Sequence, residues 1–342
     1  LALFGTNGEL DGVDVIGNTG LDGGGLYLQT GGPDLTRCVV ADNTANRHGG
    51  GLALISAQPS IRHCDFDGNA ADVSPSGFGG GLYLQNSGNA LLQGVLVRDN
   101  VAVYGGGLAL NDTSPNVTGL VVAGNHADQG GGMEIRSGTM TLVNVDVLGN
   151  TADMGAGINT RDLNTFQLTN ANVVGNVASG EGGGLRLFNS ALLLTNTVVL
   201  DNDAPTGGAV TFDPGDSSAN ASWCAFRDKG ADPYEGCSDP VGLQWNVNLD
   251  PQFLDLNAVD PWDWDLHLDA SSPLINLGSF TIFDPDGSVS DMGSFGGPDA
   301  DEHDIDGDGY PEWWLPGAYD AATSPGMDCD DRDPSVYPGQ GC

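Results

Sequence analysis

Lysine and glutamate are both scarce in this chain of 342 residues, which has one lysine, Lys229, and six glutamates among its 46 acidic residues. With only ten Lys and Arg residues, the formal net charge is -36, and such a surface repels nucleic acid and anionic lipid. The remaining acids are aspartates, which suit turns and oxygen-rich metal loops better than long helices. No apolar run is long enough to span a bilayer, and the N-terminus lacks a signal-peptide pattern. We therefore predict no nucleic-acid partner, no membrane span and few long helices.

Glycine, by contrast, is abundant, and short glycine-rich segments recur at nearly constant intervals along the chain. The segment GGGLYL stands at residues 23–28 and again at 79–84, and near-copies occur between and after these two. Eight such segments follow one another at intervals of about 26 residues, which is the signature of a repeat architecture. They begin at Gly23, Gly49, Gly79, Gly105, Gly130, Gly155, Gly182 and Gly207.

An asparagine recurs with the same period and follows the end of a second short strand in each repeat, as in VDVIGN and TVVLDN. Each repeat therefore holds two short alternating runs separated by turn residues, with no helical periodicity between them. This pattern predicts an all-β fold, a right-handed parallel β-helix in which strands of successive coils pair in parallel. The asparagines are Asn18, Asn43, Asn69, Asn100, Asn125, Asn150, Asn176 and Asn202.

The repeat also predicts which columns of side chains stack along the solenoid. The two leucines of GGGLYL face inward, and the residue between them faces outward and varies freely. We expect the asparagines to stack at a corner, where each amide bonds to its counterparts above and below. The outward column consists of Tyr27, Ala53, Tyr83, Ala109, Glu134, Asn159, Arg186 and Thr211.

The glycine-led and asparagine-led motifs resemble those of secreted bacterial right-handed β-helix repeat proteins with a pectate-lyase-like fold. The resemblance covers roughly residues 1–298, and it implies secretion and a last coil that is capped by the segments LDPQFLD, DLHLDASSPLINLGS and DMGSFGGPDA. It does not imply one activity, because the fold hosts lyases, hydrolases, adhesins and filament-forming proteins. We therefore divide the chain into coils (1–230), a terminal coil with its cap (231–298) and an Asp-rich module (299–342).

The N-terminal end is expected to be open. Leu1 aligns with Leu52, since each lies 17 residues before its ladder asparagine, so the chain begins just after the expected glycines. Either further coils precede Leu1, or the first coil presents a face that another molecule could cover. The second alternative predicts subunits that stack end to end in a filament.

Four of the six cysteines form two pairs in sequence rich in Gly, Pro and Asp. Cys224 and Cys237 are 13 residues apart, as are Cys329 and Cys342. This spacing predicts two local structural disulfides and an oxidising, extracellular compartment.

Cys38 and Cys64 belong to the repeat instead. Each lies five residues before its ladder asparagine, so the two occupy one inward column on neighbouring coils. A disulfide between them and a pair of buried, unreacted thiols are both consistent with this position.

The C-terminal module contains DIDGDGY at residues 304–310, with Asp304, Asp306 and Asp308 spaced as in a calcium loop. The bidentate Glu expected at the twelfth position is replaced by Leu315, so we expect the cluster DCDDRD to supply further ligands. The module resembles metal-binding modules appended to secreted bacterial proteins and, more loosely, calcium-bound thrombospondin repeats. The predicted Ca²⁺ ligands are Asp304, Asp306, Asp308, Tyr310, Glu312, Asp328, Asp330, Asp331 and Asp333.

No catalytic residues are predicted. Arginines are scattered singly along the chain, and a strongly negative surface would repel a polyuronate, which disfavours a lyase. Acidic pairs arise by chance in so acidic a chain, and the tryptophans, all after residue 222, fit packing of the cap better than a sugar platform. We therefore predict an extracellular, non-catalytic structural or adhesive protein, stabilised by calcium, that self-associates or contacts glycans at a cell surface. The alternatives are a polysaccharide lyase or glycoside hydrolase, and a passive glycan-binding module.

Overall fold

The predicted parallel β-solenoid is confirmed in the computed structural model, which describes residues 1–71, 75–213, 218–227 and 233–300. A coil has up to four strand positions separated by turns, and strands at the same position pair in parallel from coil to coil. The first position follows the glycines and the third precedes the ladder asparagine. The fourth position belongs to a separate seven-stranded sheet.

The strand bounds follow the repeat. The first position comprises Ala2–Thr6, Leu26–Gly31, Leu52–Ile55, Leu82–Gln85, Leu108–Asn111, Leu185–Phe188, Val210–Phe212 and Tyr234–Glu235. The second comprises Glu9–Asp11, Asp34–Thr36, Ser60–Arg62, Ala191–Thr195 and Ser218–Ser222, and the third Asp14–Ile16, Val39–Ala41, Asp65–Asp67, Val198–Leu200 and Ala225–Arg227. Leu91–Arg98 and Asn116–Ala123 join the second and third positions, and Met133–Leu148 and Ile158–Val174 join the first three. The fourth comprises Thr19–Asp22, Thr44–His48, Ala70–Ala71, Val101–Tyr104, His126–Gln129, Thr151–Met154 and Val177–Glu181.

Glycine is required where each coil turns into its first strand. Gly23 has a φ of +63°, and a Cβ there would lie 2.1 Å from the carbonyl oxygen of Leu26. The strand that follows pairs Leu26 with Leu52, and the inward leucines are fully buried in one core that runs through the coils. The glycines therefore make the turn, and the alternating leucines fill the core.

The ladder asparagines stack at the corner between the third and fourth strand positions. The Nδ2 of Asn125 donates to Oδ1 of Asn150 at 3.0 Å and to the carbonyl oxygen of Val97 at 2.9 Å. The Oδ1 of Asn125 in turn accepts bonds from the backbone N–H and the side-chain amide of Asn100. Every ladder asparagine from Asn43 to Asn202 is fully buried, so the ladder satisfies polar groups that would otherwise be costly inside the protein.

After the last coil, the chain runs along the outside of the solenoid. Residues 233–247 close this coil, where Tyr234, Cys237 and Val241 pack against the end of the core. Residues 250–300, which we call the strap, then lie against the outward face of the third strand position. The strap contains a 3-10 helix, Pro261–Asp263, and the antiparallel strands Phe253–Asp255 and Asp265–Leu268.

The strap covers an apolar stripe that the first three coils lack. There the outward column reads Asp14, Val39 and Asp65, whereas the next two coils place Leu96 and Val121 in the same column. A second apolar core results from this stripe, because side chains of the strap pack on it. Its buried members are Leu96, Val121, Ala123, Leu148, Val174, Val198, Leu200, Ala225, Leu266, Leu268, Leu274 and Met292.

Asparagines at a second corner also hold the strap. Asn170 and Asn196 each donate to Oγ of Ser290, at 3.0 and 3.1 Å, and Asn144 donates to the carbonyl oxygen of Gly296 at 2.9 Å. The three asparagines have φ values between +47° and +51°, a conformation that asparagine tolerates better than most residues. The corner that turns the chain therefore also presents amides to the strap.

Candidate functional site

The outward residues of the first strand position form the floor of a cleft that runs along the solenoid, the outer cleft. The next outward residues of the same strands form one wall, and the last residues of the fourth position form the other. The floor is Tyr27, Ala53, Tyr83, Ala109, Glu134, Asn159, Arg186 and Thr211. The first wall includes Gln85, Asn111, Arg136, Arg161, Phe188 and Asp213, and the second includes Asp22, His48, Phe78, Tyr104, Gln129 and Glu181.

The floor faces away from the core, as the sequence predicts, yet most of it is buried. Glu134 and Asn159 are fully buried, and Arg186 is 7% exposed. Burial arises because side chains from the two walls meet above the floor. The outward column is therefore a packed layer of its own, and its residues do not vary freely in solvent.

Aromatic rings fill the N-terminal part of the outer cleft. The ring centroids of His48 and Tyr83 are 4.8 Å apart, and those of Phe78 and Tyr104 are 4.7 Å apart, both pairs stacked. The guanidinium of Arg136 reaches across the cleft and lies 4.5 Å from the Phe78 centroid and 4.6 Å from that of Tyr104. Burial lowers the pKa of His48 and raises that of Tyr83, so both side chains are neutral at pH 7.

An ionic network fills the C-terminal part. Nε of Arg136 donates to Oε1 of Glu134 at 2.6 Å, and Nδ2 of Asn159 donates to the other oxygen, Oε2, also at 2.6 Å. Oδ1 of Asn159 accepts a bond from Arg186 at 3.2 Å, and Arg186 binds Glu181 at 2.8 Å and Asp213 at 2.5 Å. The network therefore links four neighbouring coils, and Asn159 uses both ends of its amide to join its two halves.

The acidic side chains of this network are bound by the arginines and the amide around them. Burial raises the pKa of Asp213, and the positive charge of Arg186 opposes that shift. Both oxygens of Glu134 accept hydrogen bonds, one from the Arg136 guanidinium and one from the Asn159 amide. A general base needs an oxygen that can reach a substrate proton, whereas the Glu134 side chain is fully buried.

Arg161 differs from the other arginines of the cleft. Its guanidinium lies 5.1 Å from the Phe188 centroid and donates a long bond of 3.5 Å to Gln129. Within the described residues, its Nε is buried without a hydrogen-bond partner. It is held mainly by the aromatic ring, so its charge is the least neutralised in the cleft.

The sequence interpretation missed this gathering of arginines, although the signal was present. Arg136 and Arg161 each lie six residues after the first glycine of their segment, and Arg186 lies four residues after its own. Counting from the glycines places all three on one outer face of neighbouring coils. Their separation along the chain, about 25 residues, is one turn of the solenoid, so arginines that are far apart in the sequence are neighbours in space.

Residues 2–173 match the family model described as the right handed beta helix region, and the match covers half of the chain. The chain belongs to the right-handed β-helix family. The comparisons of this β-helix with curated proteins and with solved structures give no match. The family agrees with the parallel coils described above and does not specify an activity.

The predicted calcium ligands, Asp304 to Asp333, lie outside the described residues of this β-helix, as do Cys329 and Cys342. Across the four described ranges, no group of three or more His, Cys, Asp or Glu side chains is arranged to hold a metal ion. No helix in those ranges is long and apolar enough to cross a membrane. The calcium site therefore stays a prediction from sequence.

The predicted disulfide between Cys224 and Cys237 is not formed in the structure, where both thiols are free. Cys224 points into the core of the last coil and is fully buried, while Cys237 packs at the end of that core. Cys38 and Cys64 are also free and buried. Burial raises the pKa of Cys224 to about 12, so this thiol is unreactive at neutral pH.

Proposed function

We propose that this β-helix is a non-catalytic, extracellular protein that serves as a structural or adhesive element. The observation that carries the proposal is the closed ionic network of the outer cleft. In it, both oxygens of Glu134 are bound by Arg136 and Asn159, and Arg186 is shared by two acids. Side chains engaged in this way join coils to one another, which suits a rigid rod better than a catalyst.

Adhesion would use the partly exposed aromatic rings of the cleft. Phe188 is 37% exposed, and Tyr27, Phe78 and Tyr104 are partly exposed. Phe78 and Tyr104 lie on neighbouring coils of the second wall, and Phe188 lies on the first wall, so an extended chain such as a glycan that follows the cleft could contact them in turn. Flat aromatic surfaces with a few polar groups beside them are common in binding sites.

A binding experiment tests the adhesive part of this proposal. Soluble neutral and acidic polysaccharides are titrated into the protein, and binding is measured by calorimetry for the wild type and for Tyr104→Ala and Phe188→Ala. We expect each substitution to weaken binding about tenfold, as the loss of one stacked ring does. Trp245→Ala is the matched control, because Trp245 is 72% exposed and lies outside the cleft. Equal loss in all three variants, or no binding at all, would refute a role for the cleft.

Calcium and self-association complete the proposal. Carboxylates as dense as those of residues 304–333 repel one another without a cation, so chelation should lower the melting temperature of the full chain. An unchanged melting temperature would contradict a structural role for calcium. Electron microscopy in millimolar calcium tests end-to-end stacking, and single rods at every concentration would rule it out.

A carbohydrate-active enzyme is the second candidate, and one observation favours it. Glu181 and Asp213 are held by the same guanidinium, and burial raises the pKa of Asp213, as hydrolase acids require. Release of reducing ends or unsaturated products from a polysaccharide panel would establish this activity. If Asp213→Asn left such an activity intact, the acid pair would not be responsible for it.

A further inference from the structure

Cys38 and Cys64 are adjacent in space although they are 26 residues apart in the chain. The next residues of their coils, Val39 and Asp65, are direct partners in the parallel sheet, and the N–H of Asp65 bonds to the carbonyl oxygen of Cys38 at 3.0 Å. Both cysteines face inward and are 1% exposed. They therefore occupy the same position of two neighbouring coils.

The two thiols contact each other rather than merely sharing a column. The backbone N–H of Cys38 donates to Sγ of Cys64 at 3.3 Å. The side chains are also hydrogen-bonded, which lowers the pKa of Cys38 to about 6 and raises that of Cys64. Two cysteines in contact are the arrangement that disulfide exchange requires, because the attacking sulfur must reach its partner.

The spacing of the coils suits a disulfide at this position. Residues in register on neighbouring strands lie about 4.8 Å apart, which is inside the Cα separation of about 4.4 to 6.8 Å that disulfides adopt. Rotation of the side chains can then bring the two sulfurs into bonding distance without moving the coils.

A third cysteine in the same structural setting provides a contrast. Cys224 also faces inward just before a strand of the third position, but the residue one coil before it is Thr197. In all three cysteines the sulfur bonds to the carbonyl oxygen two residues before it, in Thr36, Arg62 and Ser222. What distinguishes Cys38 and Cys64 from Cys224 is therefore the second sulfur on the neighbouring coil.

We propose that Cys38 and Cys64 are a disulfide-forming pair that joins two neighbouring coils when the protein meets a low-molecular-weight disulfide. The Cys38 thiolate attacks one sulfur of glutathione disulfide and expels one glutathione thiolate. Cys64, as its thiolate, then attacks the Cys38 sulfur of the mixed disulfide and expels the second glutathione. Two protein thiols are oxidised, one glutathione disulfide is reduced to two thiols, and these take up the two protons. Since both sulfurs are buried, the exchange occurs while the coils fold or open locally.

The experiment uses the full chain, purified with its thiols reduced and then incubated with glutathione disulfide. After alkylation of free thiols, digestion at arginine separates peptides 38–47 and 63–98, which contain one cysteine each. We expect these two peptides to be recovered joined, and the melting temperature to rise by about 5–10 °C for a closed loop of this length. Recovery of alkylated Cys38 and Cys64, or of glutathione adducts alone, would overturn the proposal.

Matched variants separate this bond from general oxidation. Cys38→Val places in the column the residue that Val13 and Val95 already provide, so the coils should keep their packing while the rise in melting temperature is lost. Cys224→Val should retain both the joined peptides and the rise. If Cys38→Val fails to fold, Cys64→Val serves the same purpose. If neither variant folds, the peptide analysis of the wild type decides. An equal rise in wild type and Cys38→Val would also contradict the proposal.

Discussion

The asparagine ladder and the outer cleft are built on the same coils by opposite means. In the ladder, one residue type occupies every coil, and each copy makes the same bonds to the next. In the cleft, the floor changes from tyrosine and alanine to glutamate, asparagine and arginine within eight coils. Identical residues can stack because each asparagine is both donor and acceptor, whereas a column of one charge would repel itself. Repetition therefore stabilises the coil, and variation distinguishes one coil from another.

The largest effect is expected inside the ladder, for Asn125→Ala. The substitution removes the buried acceptor of the Asn100 backbone N–H and side-chain amide, and one donor each from Oδ1 of Asn150 and the carbonyl oxygen of Val97, at a cost of about 3–5 kcal/mol in the free energy of unfolding. Urea unfolding measures it. Asn18→Ala is the control, because Asn18 is exposed at the end of the ladder, and it should cost less than about 1 kcal/mol. Similar costs at both positions would show that burial of the ladder does not matter.

The next effect is expected in the cleft, for Glu134→Ala. Glu134 is fully buried and binds Arg136 and Asn159, so its loss leaves a partly buried cation unpaired, at about 3 kcal/mol. Arg37→Ala is the comparison, because the ion pair of Arg37 with Asp11 is about half exposed and contributes roughly 0–0.5 kcal/mol. Urea unfolding of both variants checks the difference. A cost for Glu134→Ala as small as that of Arg37→Ala would mean that the network does not join the coils.

A smaller effect is expected where the strap meets the coils. Gly17 and Gly175 occupy the same corner, each with a φ of +67°, but a Cβ on Gly175 would lie 2.7 Å from the Trp264 ring, whereas one on Gly17 meets nothing within 4 Å. Gly17→Ala should cost about 1 kcal/mol for its backbone conformation alone. Gly175→Ala should cost about 1 kcal/mol more and change the tryptophan fluorescence, because Trp264 must move. Equal costs and unchanged fluorescence would place Trp264 elsewhere in solution.

The smallest effect concerns pH and the strap. Burial, with the nearby charge of Asp284, raises the pKa of Asp291 to about 6, so the folded state binds this proton more tightly than the unfolded chain. The resulting stabilisation is complete below the usual aspartate pKa and is lost as pH rises through about 6, on the order of 1 kcal/mol after solvent screening. Melting temperatures of wild type and Asp291→Asn at pH 4, 5, 6 and 7 test it. The variant should lose less stability over this range, and parallel curves would contradict the assignment.

The coils could be predicted from sequence because their physical cause is local and repeated. Gly23, Leu26 and Asn43 each have counterparts about 26 residues away, and a turn, an inward side chain and a stacked amide need nothing beyond the adjacent coils. The spacing of the glycine segments also determines which residues share a column. The inward core could be assigned from this register alone.

The strap and the cleft depend on contacts that the repeat does not encode. Trp264 packs on Gly149 and Gly175, more than 80 residues earlier, and nothing in its own segment specifies that partner. A partial signal existed, because the outward column changes from Asp65 to Leu96 where coverage begins. Arg136 and Glu134 are two residues apart in an alternating strand, so the sequence predicts that they lie on the same face. It does not predict that the Arg136 guanidinium packs on the Phe78 ring.

The ladder has a direction. Its seven amide-to-amide bonds all run the same way, with the Nδ2 of each asparagine donating to the Oδ1 of the next from Asn18 to Asn202. The pair Asn69–Asn100 spans 31 residues instead of 25 or 26, and its bond is still 3.0 Å. Extra residues are thus tolerated between ladder positions. The row of amide bonds, however, requires that any added segment be a whole coil with its asparagine in the same orientation. Duplication of a complete coil leaves every amide satisfied, so such a rod can change length in steps of one repeat without any change in its internal bonding.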